Sequence, residues 1–249
     1  ERMHALFMES LSLQTEPFVF DGESFSAANV LAILREYVSE ERRETIRSVV
    51  DRRTYTVAPV LEGVCDRGNI SAVMRSAEAL GYQSLHLIEN QEKYKRANRV
   101  TQGADKWLDI VRWETTRDCL DNLKAKGYRI VATHVAEGSK PIAEVSFNAP
   151  TAIFFGNEQD GASDELIAEA DDCVMIPMEG FSQSFNISVA AALTLYHIHH
   201  ERTRTLGRHG DLTELEKDCL AASYYMRTVK SAEEILVRVR TDANKKEAG

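Results

Sequence analysis

The chain has 249 residues, 43% of them hydrophobic and 28% charged, with a net charge of −9. That composition supplies a core and excludes a disordered chain, while the acidic balance argues against a protein that coats nucleic acid without selectivity. No apolar run approaches the roughly 18 residues a bilayer span needs; the longest, 189–195, is interrupted by Thr194.

Residues 1–25 show weak patterning, and 26–53 read as helical, rich in Arg and Glu. An apolar run over 57–64 predicts a buried strand. Over 69–80 the stripe Ile70, Val73, Ala77 and Leu80 predicts a helix, with Asn69 as its cap and Gly81 as its stop. Strands follow at 84–88 and 110–113, then a helix capped by Thr116 and closed by Gly127, then strands at 128–133 and 151–155. Ser163 caps a short helix whose first turn carries Asp164 and Glu165, favourable for the helix dipole. A strand at 173–176, a long helix at 186–200 and two amphipathic helices over 213–239 complete the chain. Strands alternating with helices predict an α/β fold with a mostly parallel sheet, whose ligands sit at the carboxyl ends of the strands.

The cysteines at 65, 119, 173 and 219 form no CxxC pair and read as buried reduced thiols. His197, His199 and His200 do not share one helix face, so no metal site is expected. Three cationic clusters stand out. Arg42, Arg43, Arg47, Arg52 and Arg53 are interleaved with glutamates and read as a solvated helix face. Arg202, Arg204 and Arg208 form a second cluster. Lys93, Lys95, Arg96 and Arg99 surround Tyr94 without an acid, with Lys106 further on, a combination suited to RNA. Because the chain begins at Glu1 rather than Met, a targeting segment is expected to be missing; a soluble protein of the cytoplasm or an organelle is expected.

Three segments that follow strands carry the chemistry. The first is Asp66-Arg67-Gly68-Asn69 running on to Arg75, which lies off the apolar stripe. In the second, Phe155-Gly156-Asn157-Glu158-Gln159-Asp160-Gly161, a strand ends in a turn whose glycines let backbone approach a ligand. In the third, Ile176-Pro177-Met178 opens a long polar loop that reaches Ser184-Phe185-Asn186 and then Ala190, Ala191 and Ala192. Long loops in compact domains tend to be functional.

In this order the segments resemble the three signature motifs of the SPOUT methyltransferase superfamily, most closely its TrmH branch of tRNA guanosine 2′-O-methyltransferases. The likeness spans roughly 45–210, and Gly103-Ala104-Asp105-Lys106-Trp107 shares it. The resemblance implies a parallel sheet with a C-terminal deep trefoil knot near 151–200, flanked by N- and C-terminal helices. It divides the chain into a helical extension 1–53, a methyltransferase domain 54–210 and a second extension 211–249.

The resemblance further implies S-adenosylmethionine as cofactor, held by Thr133, Phe155, Gly156, Asn157, Glu158, Gly161, Ile176, Met178, Ser184, Phe185 and Asn186. It assigns catalysis to Arg75, Asn69, Glu158, Ser184 and Asn186. RNA contacts fall to Lys93, Lys95, Arg96 and Arg99, and no metal is used. The expected partners are tRNA and a second copy of the chain, each active site borrowing residues across the interface. In family proposals Arg75 takes the proton of the ribose hydroxyl. A guanidinium ordinarily keeps its own proton, so holding a phosphate and stabilising the developing alkoxide is an equally physical role. The expected target is a guanosine ribose in the tRNA D-loop. An rRNA methyltransferase of the same fold and a catalytically silent RNA-binding or assembly protein stay open; a Rossmann dinucleotide enzyme lacks its glycine fingerprint.

Overall fold

Asp21 and Gly22, at φ of +48° and +80°, turn a short antiparallel hairpin of β1 (Phe18–Phe20) and β2 (Glu23–Phe25). The computed structural model describes residues 16–89, 103–136 and 138–247. Ser26 caps α1 (Ala27–Leu34) in a capping box with Asn29, and Ser39 caps α2 (Glu40–Val50). The first arginine cluster is not a solvated face throughout. Arg53 is buried, Arg43 donates to the carbonyls of Arg35 and Val38, and Arg47 pairs with Glu214 and Asp218.

Beyond Arg53 the alternating pattern builds one sheet. Every residue of β3 (Val57–Glu62) is buried, which explains a run that is apolar up to its last residue. It leads to α3 (Arg67–Ala79), which starts two residues before the expected boundary. Asp66, not Asn69, is the cap: its carboxylate accepts the Asn69 N–H at 2.8 Å, which leaves the Asn69 side chain available elsewhere. Next come β4 (Ser84–Ile88), β5 (Asp109–Trp113) and α4 (Thr116–Ala125), the last capped by Thr115 rather than Thr116. Then follow β6 (Arg129–Thr133), β7 (Lys140–Pro141), β8 (Thr151–Phe155), α5 (Asp164–Glu169) capped by Ser163, and β9 (Asp172–Met175). The long α6 (Ile187–Leu206) starts at its cap Asn186 and stops at Gly207, whose φ of +74° ends a helix without strain.

The strand order is β5-β4-β3-β8-β6-β9-β7, and all its pairings are parallel. The α/β expectation of a mostly parallel sheet therefore holds. Val57, Leu61, Val73, Leu85, Val131, Ile153, Phe155 and Leu195 belong to its core. The chain closes with α7 (Glu214–Thr228), held by a Thr213/Glu216 capping box, and α8 (Ala232–Glu247). Thr54–His209 form one compact unit; the described residues up to Arg53 and from Gly210 onward form another.

Two further expectations are corrected. Cys119 and Cys219 are buried thiols, but Cys65 is exposed and Cys173 half-buried. Arg202 is not a surface cation: it lies buried and donates to the Phe147 carbonyl at 2.7 Å. Among the described residues no helix is long and apolar enough to cross a membrane.

Candidate active site

The carboxyl ends of β6, β8 and β9 and the start of α6 surround a cavity of about 500 Å³. Its wall includes Thr133 after β6, residues 155–162 after β8, Ile176 and Met178 after β9, and Ser184, Phe185 and Asn186 before α6. Every residue assigned above to the cofactor is on this wall. Gln159, Asp160 and Ala190, quoted within the same segments but not assigned to the cofactor, also line it, and so do His134, Val135 and Thr194, which the sequence did not mark as site residues.

The turn after β8 is a backbone device. Asn157 and Gly161 exchange two backbone hydrogen bonds of 3.1 and 3.2 Å. The Asn157 side chain accepts from the N–H groups of Gln159 and Asp160 at 2.8 and 2.7 Å. Gly156 is required by space: a Cβ there would lie 2.1 Å from the Gly161 carbonyl carbon. At Gly161 the backbone itself is left-handed, with φ of +74°.

Side chains then tie the three segments together. The Asn69 amide donates to Glu158 Oε1 at 2.8 Å, and the Asn186 amide donates to Asn69 Oδ1 at 3.3 Å. Asn186 has a second duty, since its Oδ1 accepts from Ser188 N and caps α6. Segments that are far apart in sequence thus meet in one hydrogen-bonded chain on the rim of the cavity. Arg75 does not join them: it is exposed on α3 and lines a separate cavity. Lys93, Lys95, Arg96 and Arg99 lie outside the described residues. Among the described residues no group of three His, Cys, Asp or Glu could hold a metal.

One supporting residue was missed. Glu62, at the end of β3, is 4% exposed, and accepts from Thr116 Oγ1 at 2.7 Å and from Ser163 N and Oγ at 3.0 and 2.6 Å. It thereby fixes the far end of the turn after β8. A lone acid closing an otherwise apolar strand was the signal available.

A parallel sheet with a backbone-walled cavity at its carboxyl edge is the α/β arrangement in which ligands bind beyond the ends of the strands. The SpoU rRNA Methylase family matches residues 57–196, and the chain belongs to that family of methyltransferases. A tRNA (guanosine(18)-2'-O)-methyltransferase of Borreliella burgdorferi is 36% identical over 201 residues, 81% of this chain and 92% of that protein. The crystal structure of the Aquifex aeolicus TrmH/SpoU tRNA modifying enzyme superposes with a TM-score of 0.68 at 30% identity, over 77% of this chain and 98% of that one. The methyltransferase AviRb of Streptomyces viridochromogenes, solved with AdoMet, gives a TM-score of 0.52 at 25% identity, over 62% and 61% of the two chains.

Proposed function

We propose that this chain binds S-adenosylmethionine in the cavity at the carboxyl edge of the sheet and methylates the 2′-hydroxyl of a guanosine ribose in the D-loop of tRNA. The observation that carries the reading is the hydrogen-bonded chain Glu158–Asn69–Asn186, which unites the three motif segments beside one cavity. The names of the curated relatives support tRNA and guanosine as the substrate. The residues present fit the cofactor: backbone groups of the Gly156–Gly161 turn offer donors and acceptors for its polar parts, while Phe155, Ile176 and Met178 give it apolar cover.

S-adenosylmethionine supplies a methyl group already activated by its sulfonium. The work left to the protein is placing the ribose hydroxyl in line and stabilising the charge that develops on it. Asn186 and Ser184 border the place where the hydroxyl must come, and Asn69 keeps Glu158 oriented. Arg75 serves as the cation that holds the adjacent phosphate and stabilises the alkoxide. Since Arg75 lines another cavity of its own chain, it is supplied by a second copy. The surface of α6 supports such a homodimer: Val189, Leu193 and Tyr196 are 45%, 42% and 60% exposed and recur at helical spacing.

The same reading carries the deep trefoil knot near 151–200 and the division into 1–53, 54–210 and 211–249. Its support is the position of β9, which enters the sheet between β6 and β7, two strands that precede it in the chain. To test the function, the protein is incubated with methyl-labelled cofactor and separate tRNA and rRNA pools, and the labelled nucleotide is mapped. Label on a D-loop guanosine ribose is expected. Label confined to rRNA, or none in either pool, overturns it. Arg75→Ala is expected to abolish transfer while cofactor binding persists, and near-normal turnover would remove Arg75 from the mechanism.

A further inference from the structure

The cavity that Arg75 lines has a volume of about 650 Å³ and lies between α3 and the turn leading into β5. Ala72, Arg75, Ser76 and Ala79 are spaced so that they share one face of α3. The two alanines leave room, Arg75 places a cation at the edge, and Glu78 adds a carboxylate from the same helix. The opposite wall is Gly103 and the half-buried indole of Trp107.

The turn that carries that indole is held firmly. Gly103 turns the chain at φ of +86°, and its carbonyl accepts from Lys106 N at 3.2 Å. Gln83 Nε2 donates to the Trp107 carbonyl at 2.9 Å, while the Gln83 carbonyl accepts from Asp109 N at 2.9 Å and joins the turn to the sheet. Lys106 Nζ lies 5.0 Å from the centre of the indole ring. A flat aromatic wall and a guanidinium, with the Glu78 carboxylate also on the wall and Lys106 over the indole just outside the lining, surround a space that suits one nucleotide. The base can stack on the indole and the phosphate can meet the cations.

We infer that this cavity is an RNA subsite: it takes the nucleotide next to the methylated one, base against Trp107 and phosphate on Arg75. The inference rests on the proposed RNA methylation and adds a substrate contact outside the three motifs. Arg75 would then do its work at the neighbouring site while its own chain grips the flanking nucleotide.

The test uses the full chain, Trp107→Phe, Trp107→Ala and an unmethylated tRNA transcript. Trp107 and Trp113 are the only tryptophans, so intrinsic fluorescence reports on them. Titration of the transcript should quench wild-type emission, and most of the quench should vanish in Trp107→Phe. In Trp107→Ala the KM for tRNA should rise about tenfold or more, with the affinity for S-adenosylmethionine and the melting temperature unchanged. Trp107→Phe, which keeps an aromatic face, should recover much of that loss. An unchanged KM in Trp107→Ala, an equal quench in Trp107→Phe, or dissociation of the Trp107→Ala dimer would each overturn the subsite. A wild-type enzyme that methylates normally beside an unaffected Trp107→Ala refutes the subsite alone. A wild type that neither binds nor methylates RNA refutes the proposed function with it.

Discussion

Replacing Gly156 by Ala tests whether the turn after β8 is the mould of the cofactor cavity. The added Cβ would sit 2.1 Å from the Gly161 carbonyl carbon, 2.2 Å from its oxygen and 2.3 Å from Ala162 N. Ordinary contact begins at 3.4 Å, so the two sides of the turn must part by about 1.3 Å, the difference between 3.4 and 2.1. Every atom in the way is backbone, so no side chain can swing aside. The paired Asn157–Gly161 hydrogen bonds, now 3.1 and 3.2 Å, would open beyond useful length. A displacement of that size at a positioned site lowers turnover by about a hundredfold, and the cofactor Kd should rise at least about tenfold, or roughly 1.4 kcal/mol. A tRNA methylation assay and titration calorimetry with S-adenosylmethionine measure the two effects separately, and circular dichroism melting checks that the fold is kept. Gly180→Ala is the control, because the nearest atom to its Cβ is Ser182 N at 4.0 Å and its affinity should stay within about twofold of wild type. If Gly156→Ala binds cofactor as wild type does, the turn does not shape the site and the argument from close approach is wrong.

Three other perturbations probe the supports of the site. Glu62→Gln turns one of two buried acceptor oxygens into a donor facing Ser163 or Thr116, which should cost about 1–3 kcal/mol in urea unfolding and weaken cofactor binding as Ser163 loosens; unchanged stability would deny Glu62 that role. His86 is neutral in the native sheet, its pKa pushed from 6.5 down to about 4 chiefly by burial, with Lys126 adding to the shift. The unfolded chain therefore binds the extra proton first, so stability is full above pH 6.5, falls from there towards pH 4 and then levels, by up to about 3 kcal/mol in all. His86→Gln keeps an acceptor for Trp113 Nε1 and should flatten that part of the pH profile; an identical profile rules His86 out. Finally, Arg75→Ala and Asn186→Ala chains, each inactive alone, should regain about a quarter of wild-type turnover when mixed and re-equilibrated, because half the dimers are mixed and each has one intact site. Continued inactivity of the mixture would place Arg75 in the site of its own chain.

Much of the sheet was legible because burial on both faces writes short unbroken apolar runs. Residues 151–155 have the boundaries read from the sequence for that reason, and 84–88 matches its reading too although Ser84 and His86 interrupt the apolar pattern. What failed was set by choices between near-equal neighbours or by distant partners. Asp66 and Asn69 are both good caps, and only the backbone decides between them; the outcome matters, since with Asp66 as the cap the Asn69 oxygen is left to accept from Asn186 while its amide donates to Glu158. The hairpin at Asp21-Gly22 was passed over because strands of three residues carry no period to read. Lys140–Pro141 is a strand only because β9 lies beside it. The meaning of Glu62 depends on Thr116 and Ser163, which stand 54 and 101 positions away.

The residues of the three motifs also divide in a way that sequence order hides. Glu158, Ser184 and Asn186 line one cavity, with Asn69 hydrogen-bonded between Glu158 and Asn186, whereas Arg75 lines another with Trp107. Asn69 and Arg75 sit on the same helix, nearly two turns apart, so rotation of one side chain cannot unite them. A rigid helix that offers an amide to one cavity and a cation to another is understandable if each cavity does half of a task. On the proposed reading, one would hold the methyl donor and the other the RNA beside it, and two chains would bring the halves together. On that view, the exposed Val189, Leu193 and Tyr196 on α6 are as much a requirement of catalysis as the cavity wall, because without a second copy the cation and the cofactor have no reason to meet.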